Sequence, residues 1–286
     1  MREIIESILD KYSNYFGIEY GAVFENNVSH IILLLPYSPF IEYPTNVIRI
    51  DAFYLASNKL YHIKNDIVKE LQDKGIEVVK DNVLLKPMAS KCGLGTILNN
   101  QLLANSKYGS KVTIQCITIR EKYEKIQSQT VKKTCDTCHK CDDNCPQKAL
   151  FRGVFTRDKC LRHIQDYPEI ICDNIENRFL GCEECQKICP HNSKIASVQM
   201  SDELIKILDI SNIFDMVLGG KKTLKVFADL FGYNYAKPSY ILRLLLNTLI
   251  ITNNFDYVEK AKLLLNFPNN DVVELARKYI LKCDKI

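Results

Sequence analysis

The stretch "CDTCHKCDDNCPQKAL", Cys135 to Leu150, places four thiols within eleven residues and follows the last with proline. Cysteine is kept for reactivity more often than for packing, so this density points to a bound metal. Cys135, Cys138, Cys141 and Cys145 follow C-x2-C-x2-C-x3-C-P, the run by which bacterial-type ferredoxins hold cubane [4Fe–4S] clusters. The spacing has a physical reason. Three thiolates on a tight loop cap three irons of one cube, while the fourth, turned away at the start of a helix, serves the other cluster. Proline after that cysteine suits a helix's first turn. A second run, "GCEECQKICPHN", supplies Cys182, Cys185 and Cys189 with Pro190, and Cys160 stands upstream in place of a first cysteine.

The crossed pattern gives one cluster to Cys135, Cys138, Cys141 and Cys189 and the other to Cys145, Cys160, Cys182 and Cys185. A zinc ribbon or a disulfide knot is the competing reading. Zinc needs only four ligands in separated pairs and leaves both C-x3-C-P endings unexplained. The remaining cysteines, Cys92, Cys116, Cys172 and Cys283, read as core or surface thiols. His139 and His191 adjoin ligands and are placed to tune a cluster by hydrogen bonding, with a solvent-facing ring as the plainer alternative. His62 reads as a helix-surface or core residue.

A cysteine-rich stretch with so little apolar content is organised by its metal and by its neighbours. Upstream, residues 1–16 put Ile4, Ile5, Ile8, Leu9, Tyr12 and Phe16 on one helical face, with Gly17 as the stop. His30 to Tyr37 is a short apolar run that fits a buried strand, Ala52 to Lys74 a long helix closed by Gly75, and Ile76 to Val79 and Val112 to Ile119 two further strands. Beyond residue 200 the pattern is helical. Ser201, Ser239 and the pair Asp271 and Glu274 mark expected helix starts. The expected organisation is a mixed α+β or α/β segment over 1–130, a ferredoxin-like double-cluster module over 131–198 and a helical segment over 199–286, either repeat-like (HEAT-like) or a plain helical subdomain.

Composition narrows the class. At 286 residues, 47% apolar and 25% charged, the chain is an ordinary globular protein of one or two domains. The opening MREIIESILDKY carries charges at helical spacing and does not read as a signal peptide. No apolar run reaches the length of a membrane span. Twelve cysteines without an export signal fit a reducing cytoplasm and no membrane. The net charge of +4 ignores cysteine, and two cubanes at roughly minus two each would cancel it.

Two clusters make an electron conduit, and the α/β segment must bind what receives the electrons. The order LLLPY, a helix containing YH, KPMASKCGLG, YGS before a strand, and then CPQKAL and GCEECQKICPHN resembles the epoxyqueuosine reductase family. The tail KPSYILRLLLNTLI is similar to that family's repeat-like C-terminus. The resemblance implies a cobalamin in the α/β segment, reduced through the clusters, that removes the epoxide oxygen of a modified tRNA base. It also implies cofactor-binding roles for Gly93, Gly95, Tyr108, Gly109 and Ser110, and a low-potential donor such as ferredoxin or flavodoxin. Reductive dehalogenases are similar more distantly.

Departures bear on that reading. Gly95 is followed by Thr96, Ile97, Leu98 and Asn99 where the family shows Gly-Trp-x-Gly-Lys, and Leu60-Tyr61-His62 lacks the family's aspartate. The family's catalytic aspartate falls on Val79, so Asp81, two positions on and on the same face if the strand continues, becomes the candidate proton donor if the loop shifts, with an exposed loop residue as the plainer alternative. A tRNA partner calls for a basic surface, to which Lys111, Lys132, Lys133, Lys221, Lys222, Lys225 and Arg243 are candidates. The competing functions are an electron carrier or interaction protein that has lost cobalamin, and a reductase of another small molecule such as an organohalide.

Overall fold

Alternate side chains of an extended strand point to opposite faces, and this decides the first half of the computed structural model, which describes residues 1–132, 135–165, 167, 178–220 and 224–284. Helix α1 (Arg2–Phe16) precedes strands β1 (Glu19–Glu25), β2 (Val28–Pro36) and β3 (Arg49–Ile50). Helix α2 (Ala52–Asp73), β4 (Val78–Val79), α3 (Leu85–Lys91), β5 (Thr96–Ile97), β6 (Leu103–Ala104) and β7 (Val112–Ile119) follow. Strands β1, β2, β7 and β4 form one sheet in that order, with every neighbouring pair antiparallel. The mixture is thus of the α+β kind around this sheet.

In β2, Ile31, Leu33 and Leu35 pack with Ile5 and Leu9 of α1 and Leu60, Ile63 and Ile67 of α2. Ile32 and Leu34 face the other way, onto Met88 and Ala89 of α3 and onto Leu94 and Leu103. A strand covered on both faces reads as a continuous apolar run, which is why HIILLLP carries no alternation. Asn26 and Asn27 link β1 to β2 with φ of 53° and 61°, as a two-residue turn of the I′ kind requires. Gly17 closes α1 at φ 69°, and its N–H donates to the Ser13 carbonyl.

Among the described residues the elements of the cysteine-rich part are short: α4 (Lys140–Asp143), β8 (Leu150–Phe151), β9 (Val154–Phe155), α5 (Leu161–Ile164), β10 (Arg178–Leu180) and α6 (Glu184–Lys187). Helices α7 (Asp202–Leu208), α8 (Ile210–Leu218), α9 (Lys225–Phe231), α10 (Pro238–Ile251), α11 (Val258–Lys262) and α12 (Asn270–Cys283) complete the chain. Their core takes in residues from much earlier. Val47, Ile48, Ile50 and Tyr54 pack with Phe179, Leu180 and the apolar faces of the C-terminal helices, and β10 pairs in parallel with β3. The segment around Asp51 therefore ties sheet, cysteine loops and helices together.

Two helix starts differ from expectation. Ser201 does cap α7, its hydroxyl accepting from the Leu204 N–H. Helix α10 instead begins at Pro238 after Lys237, because proline's fixed φ suits the first turn, and this puts Ser239 inside the helix. Asn269, not Asp271, caps α12 by accepting from the Val272 N–H at 3.1 Å. Asp271 lies in the first turn, bonded to Arg243 at 2.9 Å. Cys92 is buried at the end of α3, Cys116 lies in β7 and Cys283 ends α12. Cys172, Lys133, Lys221 and Lys222 lie outside the described residues.

Candidate functional site

A sulfur's direction follows from the backbone that carries it, and the two cysteine runs exchange their last members. Cys135, Cys138 and Cys141 lie on the loop that runs into α4, and Cys189 of the other run lines the same small cavity with Leu98, Asn100, Pro190 and His191. Cys145, Cys160, Cys182 and Cys185 all line a second, larger cavity. Helix α6 ends at Lys187, and Cys189 beyond its cap is extended at φ −70° and ψ 124°, which turns its sulfur away from its own run. Proline at 190 then opens a short 3-10 turn.

The eleven described cysteines are free, and among the described residues no three His, Cys, Asp or Glu side chains converge closely enough to hold a single metal ion. Burial pushes the Cys182 thiol up to about 11. Burial, with the Asp142 charge behind it, pushes Cys141 up to about 12. Cys185 and Cys189 are raised too, chiefly by burial. Such thiols are poor thiolates alone and become ligands when a cation replaces the proton. Two sets of four soft donors fit two thiolate-bound iron–sulfur groups.

This second cavity, about 470 Å³ and larger only than the small cavity at Cys189, lies at the Val112 end of β7, beside Phe53 and Ser57 of α2 and Leu85 and Lys86 of α3. A neighbouring cavity of about 740 Å³ shares Phe53, Ser57, Gln115 and Arg162 with it and is walled further by Tyr61, His62 and the Gly232–Tyr235 turn. The two adjoin at these shared residues and are together called the cleft. Ile114, Gln115 and Cys116, in the middle of β7, are only half-buried between buried ends. Arg162, two residues after Cys160, stacks its guanidinium 3.6 Å from the Phe53 ring centroid. Lys86 reaches over the cavity rim to the Gln101 carbonyl at 2.6 Å. A partly apolar cavity wall with polar groups at its margin suits a large organic ligand.

The expected cofactor positions divide. Ser110 lines the larger cavity. Gly93, at φ 69°, lies against the Gln127 carbonyl and Gly95 against the Ala104 carbonyl, so both serve close packing of the chain on itself. Tyr108, Gly109 and Ser110 lead into a buried clamp on the second cysteine run. The Ser110 N–H donates to Asn192 Oδ1 at 2.7 Å, and Gln186 Nε2 donates to the Ser110 carbonyl at 2.7 Å. Gly109 has φ 53°, and a Cβ there would stand 2.2 Å from Asn192 Oδ1 and 2.5 Å from the His191 carbonyl. Gly109→Ala is expected to lose at least about 1–2 kcal/mol from the backbone conformation alone. The steric conflict adds to that, and the check is a lower urea midpoint together with reduced iron content.

Lys111 is corrected: it is 2% exposed and ion-paired with the buried Glu183, so it belongs to no surface. Arg243 is held by Asp271, while Lys132 and Lys225 are exposed. Asp81 is exposed, 3.7 Å from Nε2 of the buried His30, and lines a separate cavity with Val79, Thr118 and Asn65. That cavity meets the cleft at Asn65. His62 borders the cleft, His191 the small cavity, and His139 lies 3.4 Å from Asp142. Lys86 opens the run KPMASKCGLG and Glu183 lies inside GCEECQKICPHN, but no role attaches to either there, and Arg162 lies outside both runs. Only the proximity of Arg162 to Cys160 and of Glu183 to Cys182 was a signal.

No protein-family model matches the chain. Among curated proteins it is similar to the epoxyqueuosine reductase of Lactococcus garvieae (strain Lg2), 29% identical over 199 residues, which is 64% of this chain and 53% of that protein. The chain spans about half the length of the curated relatives it matches. Among solved structures it superposes on a selenomethionine-labelled epoxyqueuosine reductase with a TM-score of 0.73 at 17% identity, covering 98% of this chain and 90% of that one. It also matches an epoxyqueuosine reductase solved with an epoxyqueuosine-modified tRNA-Tyr stem loop, with a TM-score of 0.64 at 16% identity and 99% of each chain covered. At these identities the structural likeness is one of fold.

Proposed function

From a chain that is a divergent relative of the epoxyqueuosine reductases, we propose an iron–sulfur oxidoreductase that holds two [4Fe–4S] clusters and a cobalamin and reduces epoxyqueuosine in tRNA. The observation that carries the proposal is the four-and-four grouping of eight cysteines, with the second group opening onto a cleft along β7. The first cluster takes Cys135, Cys138, Cys141 and Cys189, and the second takes Cys145, Cys160, Cys182 and Cys185. The three sequence segments then act as cofactor domain, cluster module and helical support. A low-potential protein such as ferredoxin or flavodoxin supplies the electrons. Among the described residues no helix is long and apolar enough to cross a membrane.

In this proposal the cavity wall formed by Val112 to Gln115 of β7 with Ser110, Leu102 and Leu103 would hold the corrin ring and keep water from it. A corrin cobalt supplies two-electron reducing chemistry that single-electron clusters do not. Removal of an epoxide oxygen takes two electrons and two protons and releases water. Tyr61, His62, Asn58 and Asn234 line the outer cavity with the stacking and amide groups that recognise an unpaired nucleobase. Asp81 is the proton donor proposed from the resemblance.

One observation favours a second reading: Asp81 is exposed and lies outside the cavity beside the second cysteine group. In that reading the chain is a double-cluster electron carrier without cobalamin. Anaerobic incubation with cobalamin followed by a cobalt count separates the two. About one cobalt per chain, with loss of epoxyqueuosine from tRNA that weakens steeply with added salt, is expected of the reductase. Full iron with no bound cobalt and no conversion would leave the carrier.

A further inference from the structure

The surroundings of the two cysteine groups differ in charge. At the larger cavity, Arg162 and Lys86 share the wall with Cys145, Cys160, Cys182 and Cys185. The acids nearby are already engaged. Glu183 pairs with Lys111, and Glu184 with Arg178 at 2.6 Å and Lys187 at 2.9 Å. Asp51 caps α2 through the Phe53 N–H and offsets part of the Arg162 charge, leaving Lys86 without an acid within ion-pair distance among the described residues. The small cavity contains no lysine or arginine in its wall, and its near charge is negative. Asp142, 8% exposed, places Oδ1 3.6 Å from Cys141 Sγ. Its other oxygen accepts from the Arg152 N–H at 2.7 Å. Lys140 and Lys148 are exposed, as Lys86 is, so solvent and salt screen all three and the half-buried Arg162, stacked on Phe53, carries most of the difference.

Charge and hydrogen bonding around a cluster set its reduction potential, and poorly solvated charges act most strongly. Resting on the two-cluster reading, we infer that Arg162 and Lys86 hold the second cluster at a higher potential than the first, so that electrons run from the Cys135 side towards the cleft. Each transfer moves one electron. The first cluster is oxidised by one unit, the second is reduced by one unit, no bond or proton moves, and a one-electron donor protein of the ferredoxin type re-reduces the first. Both residues are positioning residues, since they act through the cluster's field.

The test is an EPR-monitored redox titration of the full chain, reconstituted anaerobically to about eight irons. Two one-electron waves are expected. Arg162→Gln lowers the higher wave, changing the ratio of reduced to oxidised second cluster about tenfold at a fixed poise, which is about 59 mV. Arg162→Lys restores it, Lys86→Gln shifts it less in the same direction, and Asp142→Asn raises the lower wave. Eight irons with both waves unmoved by Arg162→Gln and Lys86→Gln, or with the lower wave responding to them, would overturn the inference and leave the cluster reading standing. An unmodified chain that never accepts about eight irons would defeat the cluster reading itself, and the inference with it.

Discussion

Replacing Lys111 with alanine is expected to destabilise the fold by about 3–5 kcal/mol, because it strands a buried carboxylate. Lys111 and Glu183 have side chains only 3% and 5% exposed and bond directly to one another. Lys111 precedes β7 and also lies 5.8 Å from the centroid of the Tyr37 ring. Glu183 stands between Cys182 and Cys185, so the pair fastens the second cysteine run to the end of the sheet. Without the ammonium, the carboxylate must take up a proton or draw in water, and either change disturbs the loop that carries Cys182 and Cys185. The double replacement Lys111→Met with Glu183→Leu is expected to recover most of the loss, since apolar pairs of similar volume often match a buried ion pair. Urea denaturation of the full chain checks both. A loss under about 1 kcal/mol for Lys111→Ala would mean the pair behaves as an exposed one.

Cys189→Ser is expected to halve the iron, from about eight to about four per chain, and to remove the cluster that Cys135 serves. The pairing shows in double substitutions, because two ligands of one site are not independent. Cys135→Ser with Cys189→Ser should lose no more than either alone and keep about four irons. Cys135→Ser with Cys145→Ser should lose both clusters and approach none, although these two cysteines belong to the same run. An uncrossed arrangement, with Cys145 on the first cluster and Cys189 on the second, predicts the reverse outcome for the two doubles. Iron and acid-labile sulfide analysis after anaerobic reconstitution decides between them.

What could be read from the sequence had a local cause. The cysteine spacing is a local geometric code, and β7 and α1 are written in β-branched runs and in an apolar face closed by Gly17. A helix start is legible at Ser201, where a hydroxyl takes the cap, while at α12 the cap is Asn269, two residues before the expected Asp271. The site's surroundings were less legible because they are assembled across the chain. Lys111 and Glu183 are 72 residues apart, and nothing local distinguishes Lys111 from a surface lysine. Gly109 and Ser110 belonged to a motif, yet their contacts are with Asn192 and Gln186, which no spacing rule links to them. Arg162 takes its importance from stacking on Phe53, over a hundred positions earlier in the chain.

Metal and sulfide analysis of anaerobically purified and reconstituted protein tests the central claim most directly. The two-cluster account predicts about eight irons and about eight acid-labile sulfides per chain, with an EPR signal that appears on reduction. Zinc bound in their place, with no labile sulfide after careful reconstitution, would contradict it.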